Sequence, residues 1–349
     1  AEKRNRRRAN AARLTYVNDF DRGWQRRRRG QGFTYLSSRG TTLRSEAARN
    51  RIDALAIPPA WEDVWICPSA TGHIQARGRD EAGRLQYIYH ERWQAVSSAN
   101  KYERLQPLVK LLPRIRRRVR RDLRGRKLTR QRVLATVVRL LDKALIRVGN
   151  GRYEAERGTR GATTLSSKHV EVQGVSISLD FPGKSGQRQQ VEITDKKAAR
   201  VIRQCEEISG QYLFCYRQDD GEYRNITSSD VNAYLAEIAA APITAKDFRT
   251  WWANVVALAN LTDLEPDLSQ RQTTMAINAA IDQAAAALGN TRAICRKSYI
   301  HPGLLDAAQA GDLPELVTKA RRSQRTWPEL TADEILLARL LPLLETGES

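Results

Sequence analysis

The sequence predicts an α+β protein of two domains, a small one rich in antiparallel strands followed by a larger, mostly helical one. The first observation is size, because 349 residues exceed a usual single domain and 41% hydrophobic content can fill two cores. The second is a change of pattern from short alternating segments within residues 31–95 to helical periodicity within residues 96–349. The third is the linker-like VSSAN at residues 96–100. We therefore predict a β-rich domain over 31–95 and a mostly α domain over 96–349.

The charge of the chain points to a polyanionic partner. Lys and Arg number 59 against 39 Asp and Glu, which gives a formal net charge of +20. Double-stranded DNA carries dense negative charge along its backbone, so it is the simplest partner. A membrane surface is the rival, but the sequence has no run of about 18 apolar residues and no basic helix with an aromatic apolar face. We therefore expect binding to duplex DNA and no membrane partner.

Residues 1–30 contain two arginine-rich runs, KRNRRR and RGWQRRRRG, with few apolar positions. This composition is typical of a disordered basic arm. The arm would still add non-specific affinity for a phosphate backbone. It lacks the apolar stretch of a secretory signal, so we expect a cytoplasmic, nucleoid-associated protein.

Neither the cysteines nor the histidines are spaced like ligands of a metal ion. The sequence has no CxxC or HxxxH pair, and the four scattered cysteines are typical of reduced cytosolic thiols: Cys67, Cys205, Cys215 and Cys295. The tripeptide GKS at residues 183–185 lacks the earlier glycine of a phosphate-binding loop, because that position is Ser178. We therefore expect neither a metal ion nor another cofactor.

Alternating apolar residues and turn signals predict the strands of the N-terminal domain. GFTYLSSRGTTLR predicts a hairpin with its tip near residues 38–40, and WEDVWIC, GHIQARG and RLQYIYH predict three more strands. In the last strand Tyr87 and Tyr89 are two residues apart and share a face, with Arg84 and Gln86 close by. Arg and Gln can contact base edges, and Tyr can contact phosphate or stack. The same pattern also fits a hairpin with two half-buried tyrosines.

The C-terminal domain begins with a basic segment and a long amphipathic helix. RIRRRVRRDLRGRK at residues 114–127 predicts a basic helix or turn, which we expect to face DNA. Thr129 can cap the helix that follows. HVEVQGVSISLDF and RQQVEITD predict a small antiparallel sheet with Lys184 at the tip of its hairpin. Thr244 can cap a later helix that carries Arg249.

The stretch AAAALGNTRAICRKSYIHP, residues 284–302, combines a helix end, a turn and a second, short helix. The alanine run favours helix, and Gly289 is typical of the residue after a helix. Asn290 or Thr291 can cap the short helix, and Pro302 must end it.

Three residues of that short helix form a pattern of their own. Arg292, Arg296 and Tyr299 are spaced i, i+4, i+7, which predicts that they share one face. A phenol beside two positive charges suits an anionic ligand or a tyrosine that must lose its proton. The alternative is a Tyr that lies over arginine side chains on a solvated helix surface.

Five short motifs resemble, in this order, the active-site segments of type IB DNA topoisomerases of the small bacterial and poxvirus kind: IRVG, PGK, KDFRTW, GNT and RKSY. IPPAWEDVW and GRLQYIYH extend the resemblance into the N-terminal domain, so it covers residues 32–305. Poxvirus members carry His where this chain has Asn290, whereas bacterial relatives carry Asn. The resemblance implies a two-domain clamp whose catalytic domain has the fold shared by tyrosine recombinases and type IB topoisomerases.

The resemblance also implies roles for individual residues. The implied catalytic residues are Arg147, Lys184, Arg249, Asn290 and Tyr299. The residues implied to contact DNA are Arg84, Gln86, Tyr87, Tyr89, Tyr153, Lys246 and Asn254. The face predicted for the short helix adds two further DNA contacts, Arg292 and Arg296.

The reaction implied by the resemblance is relaxation of supercoiled duplex DNA through transient cleavage of one strand. Tyr299 would attack a phosphodiester and form a 3′-phosphotyrosyl intermediate, with Lys184 as the general acid for the 5′-oxygen. Arg147, Arg249 and Asn290 would stabilise charge on the non-bridging oxygens. Because the phosphotyrosine stores the energy of the broken bond, neither ATP nor a metal is needed. We also expect the enzyme to be a monomer.

Two alternatives stay open. A tyrosine recombinase would use the same Arg, Lys and Tyr chemistry, but its second arginine usually has an HxLRH-like context, which here is KDFRTW. A non-catalytic architectural DNA-binding protein would explain the charge but not the ordered motifs. Relaxation by a monomer and a covalent DNA adduct distinguish a topoisomerase from both.

Overall fold

The computed structural model of the chain describes residues 2–18, 20–30, 32–81, 83–94, 102, 104–151, 154–155, 158–208, 210–218, 220–265 and 268–345. The chain divides into two compact units, with the boundary between residues 101 and 102. The predicted linker at residues 96–100 lies outside the described residues, so the predicted domain limit at residue 95 stays a prediction. None of the described helices is both long and apolar enough to cross a membrane.

The first unit is built on a five-stranded antiparallel sheet. Its strands are β1 (Trp24–Arg29), β2 (Gly32–Leu36), β3 (Glu62–Ile66), β4 (Ile74–Arg79) and β5 (Leu85–Tyr89), in the spatial order β2-β1-β3-β4-β5. Helices α1 (Glu2–Ala11) and α2 (Glu46–Ala54) belong to the same unit. Ser45 caps α2 by accepting a hydrogen bond from the N–H of Ala48. The strands predicted from WEDVWIC, GHIQARG and RLQYIYH are confirmed.

The prediction of a separate disordered arm over residues 1–30 is wrong where the structure describes this segment. Much of it forms α1 and β1, and β1 lies between β2 and β3 in the sheet. Arg26 shows the reason: its guanidinium donates to carbonyl groups of the loop at residues 57–61 and lies 4.1 Å from the centre of the Phe33 ring. Composition does not distinguish an arginine that satisfies loop carbonyls from a solvated one.

The second unit is mostly helical. Its helices are α3 (Leu105–Asp122), α4 (Arg130–Ala144), α5 (Lys196–Glu206), α6 (Ser228–Ala239), α7 (Ala245–Ala259), α8 (Gln270–Leu288), α9 (Arg292–Ser298), α10 (Pro302–Ala310), α11 (Leu313–Arg322) and α12 (Ala332–Glu345). An antiparallel sheet is formed by β6 (Val170–Gln173), β7 (Ser176–Pro182) and β8 (Arg188–Thr194), and a smaller one by β9 (Cys215–Arg217) and β10 (Tyr223–Asn225). Thr129 caps α4 as predicted. The α+β class, β-rich first and mostly helical second, is confirmed.

The basic run at residues 114–127 lies on α3 and the turn after it, but one of its arginines faces the interior. Arg116 is 8% exposed and donates to both carboxylate oxygens of Asp142 on α4, at 2.8 Å each, and to both of Glu334 on α12, at 2.7 and 2.9 Å. Trp251 on α7 also donates to Glu334, at 2.8 Å. The prediction that this run faces DNA is therefore wrong for Arg116, which belongs to a buried network that joins four helices.

Candidate active site

The first candidate catalytic residue, Arg147, follows the C-terminus of α4. Leu145 ends this helix in the left-handed conformation, with φ 57°. The segment after it pairs with residues 161–164, so that the carbonyl of Arg147 accepts from the N–H of Ala162 at 2.8 Å. A Cβ on Gly161 would lie 2.6 Å from that same carbonyl oxygen. Only glycine fits there, and this close contact fixes the backbone of Arg147.

Arg249 lies near the start of α7 and is 4% exposed. Its Nη1 donates to the carbonyl of Leu145, and its Nη2 donates to the carbonyl of Leu288 at 2.7 Å. These carbonyls stand at the C-termini of α4 and α8, where they lack helical partners and the helix dipole is negative. Burial, followed by the charge of Arg147, lowers the pKa of Arg249 to about 10, so the guanidinium is still mostly charged at neutral pH.

The C-terminus of α8 places Asn290 beside Arg147. Gly289 ends α8 with φ 57°, and its carbonyl accepts from Nη1 of Arg147 at 3.4 Å. Nη2 of Arg147 donates to Oδ1 of Asn290. The cap of α9 is Thr291, whose side chain accepts from the N–H of Ile294. Of the two predicted caps Thr291 is therefore confirmed, and Asn290 is free for another role.

Two buried donors in this cluster make no hydrogen bond to a described residue: Nε of Arg249 and Nδ2 of Asn290. A buried N–H without an acceptor costs roughly 1–3 kcal/mol. Phosphate oxygens would satisfy both donors, because ionised oxygens accept hydrogen bonds and prefer charged partners. The cluster of Arg147, Arg249 and Asn290 therefore has the chemistry of an anion-binding site.

The phenol of Tyr299 lies half-buried beside this cluster. Tyr299 follows α9 directly, and its ring centre is 5.4 Å from Cζ of Arg249. Burial raises the pKa of the phenol, but the charge and hydrogen bond of Arg249, with the charges of Arg147 and Lys246, lower it by more. The pKa of Tyr299 is therefore below its ordinary value, which favours the phenolate.

Tyr299 is the C-cap of α9, and its N–H still bonds to the carbonyl of Cys295, but Arg292 and Arg296 are not among the main charges that lower its pKa. Arg292 instead donates from Nε to the carboxylate of Asp282 on α8, at 2.6 Å, and Arg296 is exposed. The charges that act on the phenol come from α7 and from the segment after α4. Contact of Arg292 and Arg296 with DNA stays a prediction.

Asn254 holds the backbone at Tyr299 and just after it. It is 0% exposed on α7, and its Nδ2 donates to the carbonyl of Tyr299 at 2.9 Å and to that of Thr250 at 2.7 Å. Its Oδ1 accepts from the N–H of His301 at 2.7 Å. Because both ends of this amide are used inside the protein, the prediction that Asn254 contacts DNA is wrong. Its geometry is that of a residue that positions Tyr299.

Lys184 begins a single 3₁₀ turn, Lys184–Gly186, at the tip of the β7–β8 hairpin, as predicted. Its side chain is exposed and makes no hydrogen bond or ion pair to a described residue. On the same hairpin, Gln189 reaches α8: a Cβ on Gly289 would lie 2.1 Å from Nε2 of Gln189. The hairpin therefore meets the helix end that precedes Asn290.

Four residues predicted to contact DNA lie on or beside β5 in the first unit. Arg84 and Gln86 both donate to the carboxylate of Asp80, from Nε at 2.7 Å and from Nε2 at 2.9 Å. The hydrogen bond of Arg84 holds the pKa of Asp80 well below its usual range. Tyr87 and Tyr89 stack with ring centres 5.7 Å apart, which confirms that they share a face. DNA contact by these four residues stays a prediction.

Two further residues predicted to contact DNA belong to the second unit. Tyr153 lies outside the described residues. Lys246 is exposed on the first turn of α7, and its charge helps to lower the pKa of Tyr299, so it lies at the edge of the cluster. Contact of Lys246 with DNA stays a prediction.

Sequence reasoning missed the groups that hold Arg249 and the residue that joins the Lys184 hairpin to α8. Leu145 and Leu288 act through their carbonyls, which every residue type has, so their side chains carried no signal. Gln189 is an ordinary polar residue in a strand and carried none either. The glycine at Gly161 was the one available signal, because a glycine often marks a close approach of two backbones.

The site joins two guanidinium groups, an amide donor and a phenol of lowered pKa. The guanidinium and amide groups can bind the non-bridging oxygens of a phosphodiester, and the phenolate can attack its phosphorus. Among the residues that the structure describes, no group of three or more His, Cys, Asp and Glu side chains could hold a metal ion. Fold and site therefore point to the class of enzymes that transfer a phosphodiester to a tyrosine.

Comparison with known proteins narrows this class. The family described as "Eukaryotic DNA topoisomerase I, catalytic core" matches residues 90–321, and "Bacterial DNA topoisomerase IB, N-terminal domain" matches residues 32–80. The chain belongs to the type IB DNA topoisomerases. The family expected from the five motifs is thereby confirmed.

Individual relatives show the extent of the similarity. DNA topoisomerase 1B of Acanthamoeba polyphaga mimivirus is 31% identical over 257 residues, which cover 72% of this chain and 76% of that protein. DNA topoisomerase 1B of vaccinia virus strain Copenhagen is 21% identical over 268 residues, which cover 76% of this chain and 81% of that protein. DNA topoisomerase 1 of Mycosarcoma maydis is 27% identical over 210 residues, which cover 54% of this chain but 20% of that protein.

Proposed function

We propose that this chain relaxes supercoiled duplex DNA by cutting one strand, letting the free end rotate, and rejoining it. The observation that carries the proposal is the half-buried phenol of Tyr299 beside Arg249, whose Nε lacks an acceptor among the described residues. Membership of the type IB family supports the same activity. The tyrosine recombinase and the architectural DNA-binding protein are set aside in its favour.

In the cleavage step, the phenolate oxygen of Tyr299 bonds to the scissile phosphorus, and the bond from phosphorus to the 5′-oxygen breaks. The products are a 3′-phosphotyrosyl enzyme and a 5′-oxygen that must gain a proton. We assign the proton to the ammonium group of Lys184, at the exposed tip of the β7–β8 hairpin. Rejoining is the reverse reaction, in which the 5′-hydroxyl attacks phosphorus and Tyr299 leaves.

The charge that develops on the non-bridging oxygens is stabilised by Arg147, Arg249 and Asn290. The carbonyls of Leu145 and Leu288 orient the guanidinium of Arg249 before DNA binds. Removal of one such prearranged donor typically lowers a rate by about 10² to 10³. Because the phosphotyrosine conserves the energy of the broken bond, the reaction requires neither ATP nor a metal ion.

Duplex DNA is the partner that this chemistry and the net charge of +20 require. We propose that the first unit contacts DNA through the residues on and beside β5, and that the two units form a clamp around the duplex. Lys246, Arg292 and Arg296 would contact the DNA backbone near the cut. The enzyme acts as a monomer in the cytoplasm, where it meets the nucleoid.

Relaxation of supercoiled plasmid in EDTA and without ATP tests the proposal. Wild-type protein should give a ladder of relaxed topoisomers, and denaturant added during the reaction should trap a covalent DNA adduct. Tyr299→Phe, which lacks only the nucleophilic oxygen, is the matched control and should give neither product. DNA binding without any adduct would favour the architectural alternative, and strand exchange between two duplexes in a tetramer would favour the recombinase.

A further inference from the structure

The side chain of Gln189 lies between two glycines of different segments. Gln189 is a half-buried residue of β8, and its Cα pairs with that of Phe181 on β7. A Cβ on Gly289 would lie 2.1 Å from its Nε2 and 2.3 Å from its Oε1. A Cβ on Gly183 would lie 2.7 Å from its Cγ. The Gln189 side chain therefore occupies space that exists because both neighbours are glycine.

Each of these glycines directly precedes a residue of the proposed reaction. Gly183 precedes Lys184, and Gly289 precedes Asn290. The carbonyl of Gly289 also accepts from Arg147. A contact between Gln189 and both glycines thus joins the hairpin of the proton donor to the cluster that binds the phosphate.

We propose that Gln189 is a positioning residue that holds the Lys184 hairpin in register with the phosphate-binding cluster. This inference rests on the proposed role of Lys184 as general acid. The Lys184 side chain is exposed and makes no polar contact with the described residues, so its own interactions do not fix where its amine lies. Gln189 supplies that constraint from a position beside the tip of the same hairpin, through Gly183. Loss of the contact would leave the nucleophile and the phosphate clamp in place but misplace the proton donor.

A substrate that needs no proton donor shows whether Gln189 positions Lys184 or only contributes to packing. Replacement of the 5′-bridging oxygen by sulfur gives a leaving group that departs as a thiolate without protonation. Gln189→Ala should cleave the oxygen substrate roughly 10- to 100-fold more slowly than wild type, because a 1 Å misplacement of a catalytic group can cost about 10²-fold. It should cleave the sulfur substrate within about threefold of wild type. Equal losses on both substrates, or no loss on the oxygen substrate, would overturn the proposal.

Gly183→Ala perturbs the same contact without changing Gln189. Its φ of −86° suits any residue, so the added methyl group acts by contact: it would lie 2.7 Å from Cγ of Gln189 and 2.9 Å from the carbonyl oxygen of Gln187, and both must shift. This variant should show the same defect, rescued by sulfur. The matched control is Gln190→Ala, because Gln190 is exposed on the same strand and donates to Asp180 at 3.1 Å. Gln190→Ala should cleave both substrates like wild type, and a defect equal to that of Gln189→Ala would overturn the proposal.

A double mutant shows whether Gln189 acts through Lys184. Lys184→Ala alone should be slow on the oxygen substrate and rescued by sulfur, and adding Gln189→Ala should slow it no further. If the double mutant lost as much cleavage rate as the product of the two single-mutant losses, Gln189 would act independently of Lys184, which would overturn the proposal. If sulfur fails to rescue Lys184→Ala itself, the general-acid assignment fails, and the inference about Gln189 fails with it. If Tyr299→Phe still forms an adduct, the proposed nucleophile is wrong, which is a separate outcome.

Discussion

Asn290→Asp tests whether Asn290 binds the scissile phosphate or only supports the loop in which it lies. The substitution keeps the shape of the side chain and an oxygen that can accept from Arg147. It replaces the buried Nδ2, which makes no hydrogen bond to a described residue, with a second, negatively charged oxygen. Because Thr291 caps α9, the substitution should leave the helix intact.

The expected loss has two parts. Removal of one hydrogen-bond donor to the transition state lowers the rate by about 10² to 10³, or roughly 3–4 kcal/mol of barrier height. Repulsion between the new carboxylate and the phosphate adds roughly 4 kcal/mol at a separation of about 4 Å and an effective dielectric constant of about 20. We therefore expect Asn290→Asp to slow cleavage by at least about 10⁴, and Asn290→Ala, which removes the donor without adding a charge, by about 10² to 10³.

Single-turnover cleavage with enzyme in excess measures these rates, on a duplex whose cut end dissociates. DNA affinity is measured separately with Tyr299→Phe added, so that cleavage cannot contribute. Thermal unfolding of Asn290→Asp should match the wild type, because Thr291 still caps α9 and the aspartate keeps an oxygen that accepts from Arg147. If Asn290→Asp cleaves DNA within about threefold of wild type, the reasoning is refuted and Asn290 does not face the phosphate.

Three further predictions concern the nucleophile, the DNA surface and the buried ion pairs. Tyr299→Phe should abolish plasmid relaxation and the covalent adduct while duplex binding stays within about threefold, and relaxation by this variant would place the nucleophile elsewhere. Duplex affinity should fall steeply with salt, since each phosphate neutralised contributes about −0.9 to the slope of log K against log salt concentration. A slope shallower than about −2 would contradict a clamp of the two units around DNA. Glu334→Ala should lower the free energy of unfolding by about 3 kcal/mol in chemical denaturation, because Arg116 loses one of its two carboxylate partners. Burial raises the pKa of Glu334 but Arg116 lowers it by more, so the stability from this pair should be present above an unfolded pKa of about 4.3 and lost as pH falls below it. A difference between wild type and Glu334→Gln that grows toward acid pH would contradict this sign.

The local features of the fold were predictable because they depend on neighbours in the chain. Ser45 and Thr129 cap helices, Gly289 ends one, and the alternating segments of the first unit form strands. The candidate site was predictable by another route, since the five motifs carry an order and spacing typical of a known family. Local spacing alone did not identify the charges that act on the phenol of Tyr299, because these come from α7 and from the segment after α4.

Features that depend on contacts between distant segments were not predictable. Arg116 and Arg26 lie in basic runs, yet one is buried between two carboxylates and the other satisfies loop carbonyls. Asn254 is a polar residue whose partners are backbone groups 45 and 47 positions later. The sequence around a polar residue does not show whether its partner is DNA, solvent or a carbonyl of another segment.

The hydrogen bonds that Asn254 makes to Tyr299 and His301 have a mechanical consequence for strand rotation. In the proposed reaction, torque in the DNA pulls on the covalent linkage at Tyr299 while the cut end turns. Asn254 joins the backbone at Tyr299 and just after it to α7, the helix that also carries Arg249. A force on Tyr299 is thus transmitted to the helix that carries Arg249, whose guanidinium is proposed to bind the phosphate. Tyr299 and Arg249 would therefore move together under this force, so the phosphotyrosine stays aligned with Arg249 for rejoining while the DNA rotates.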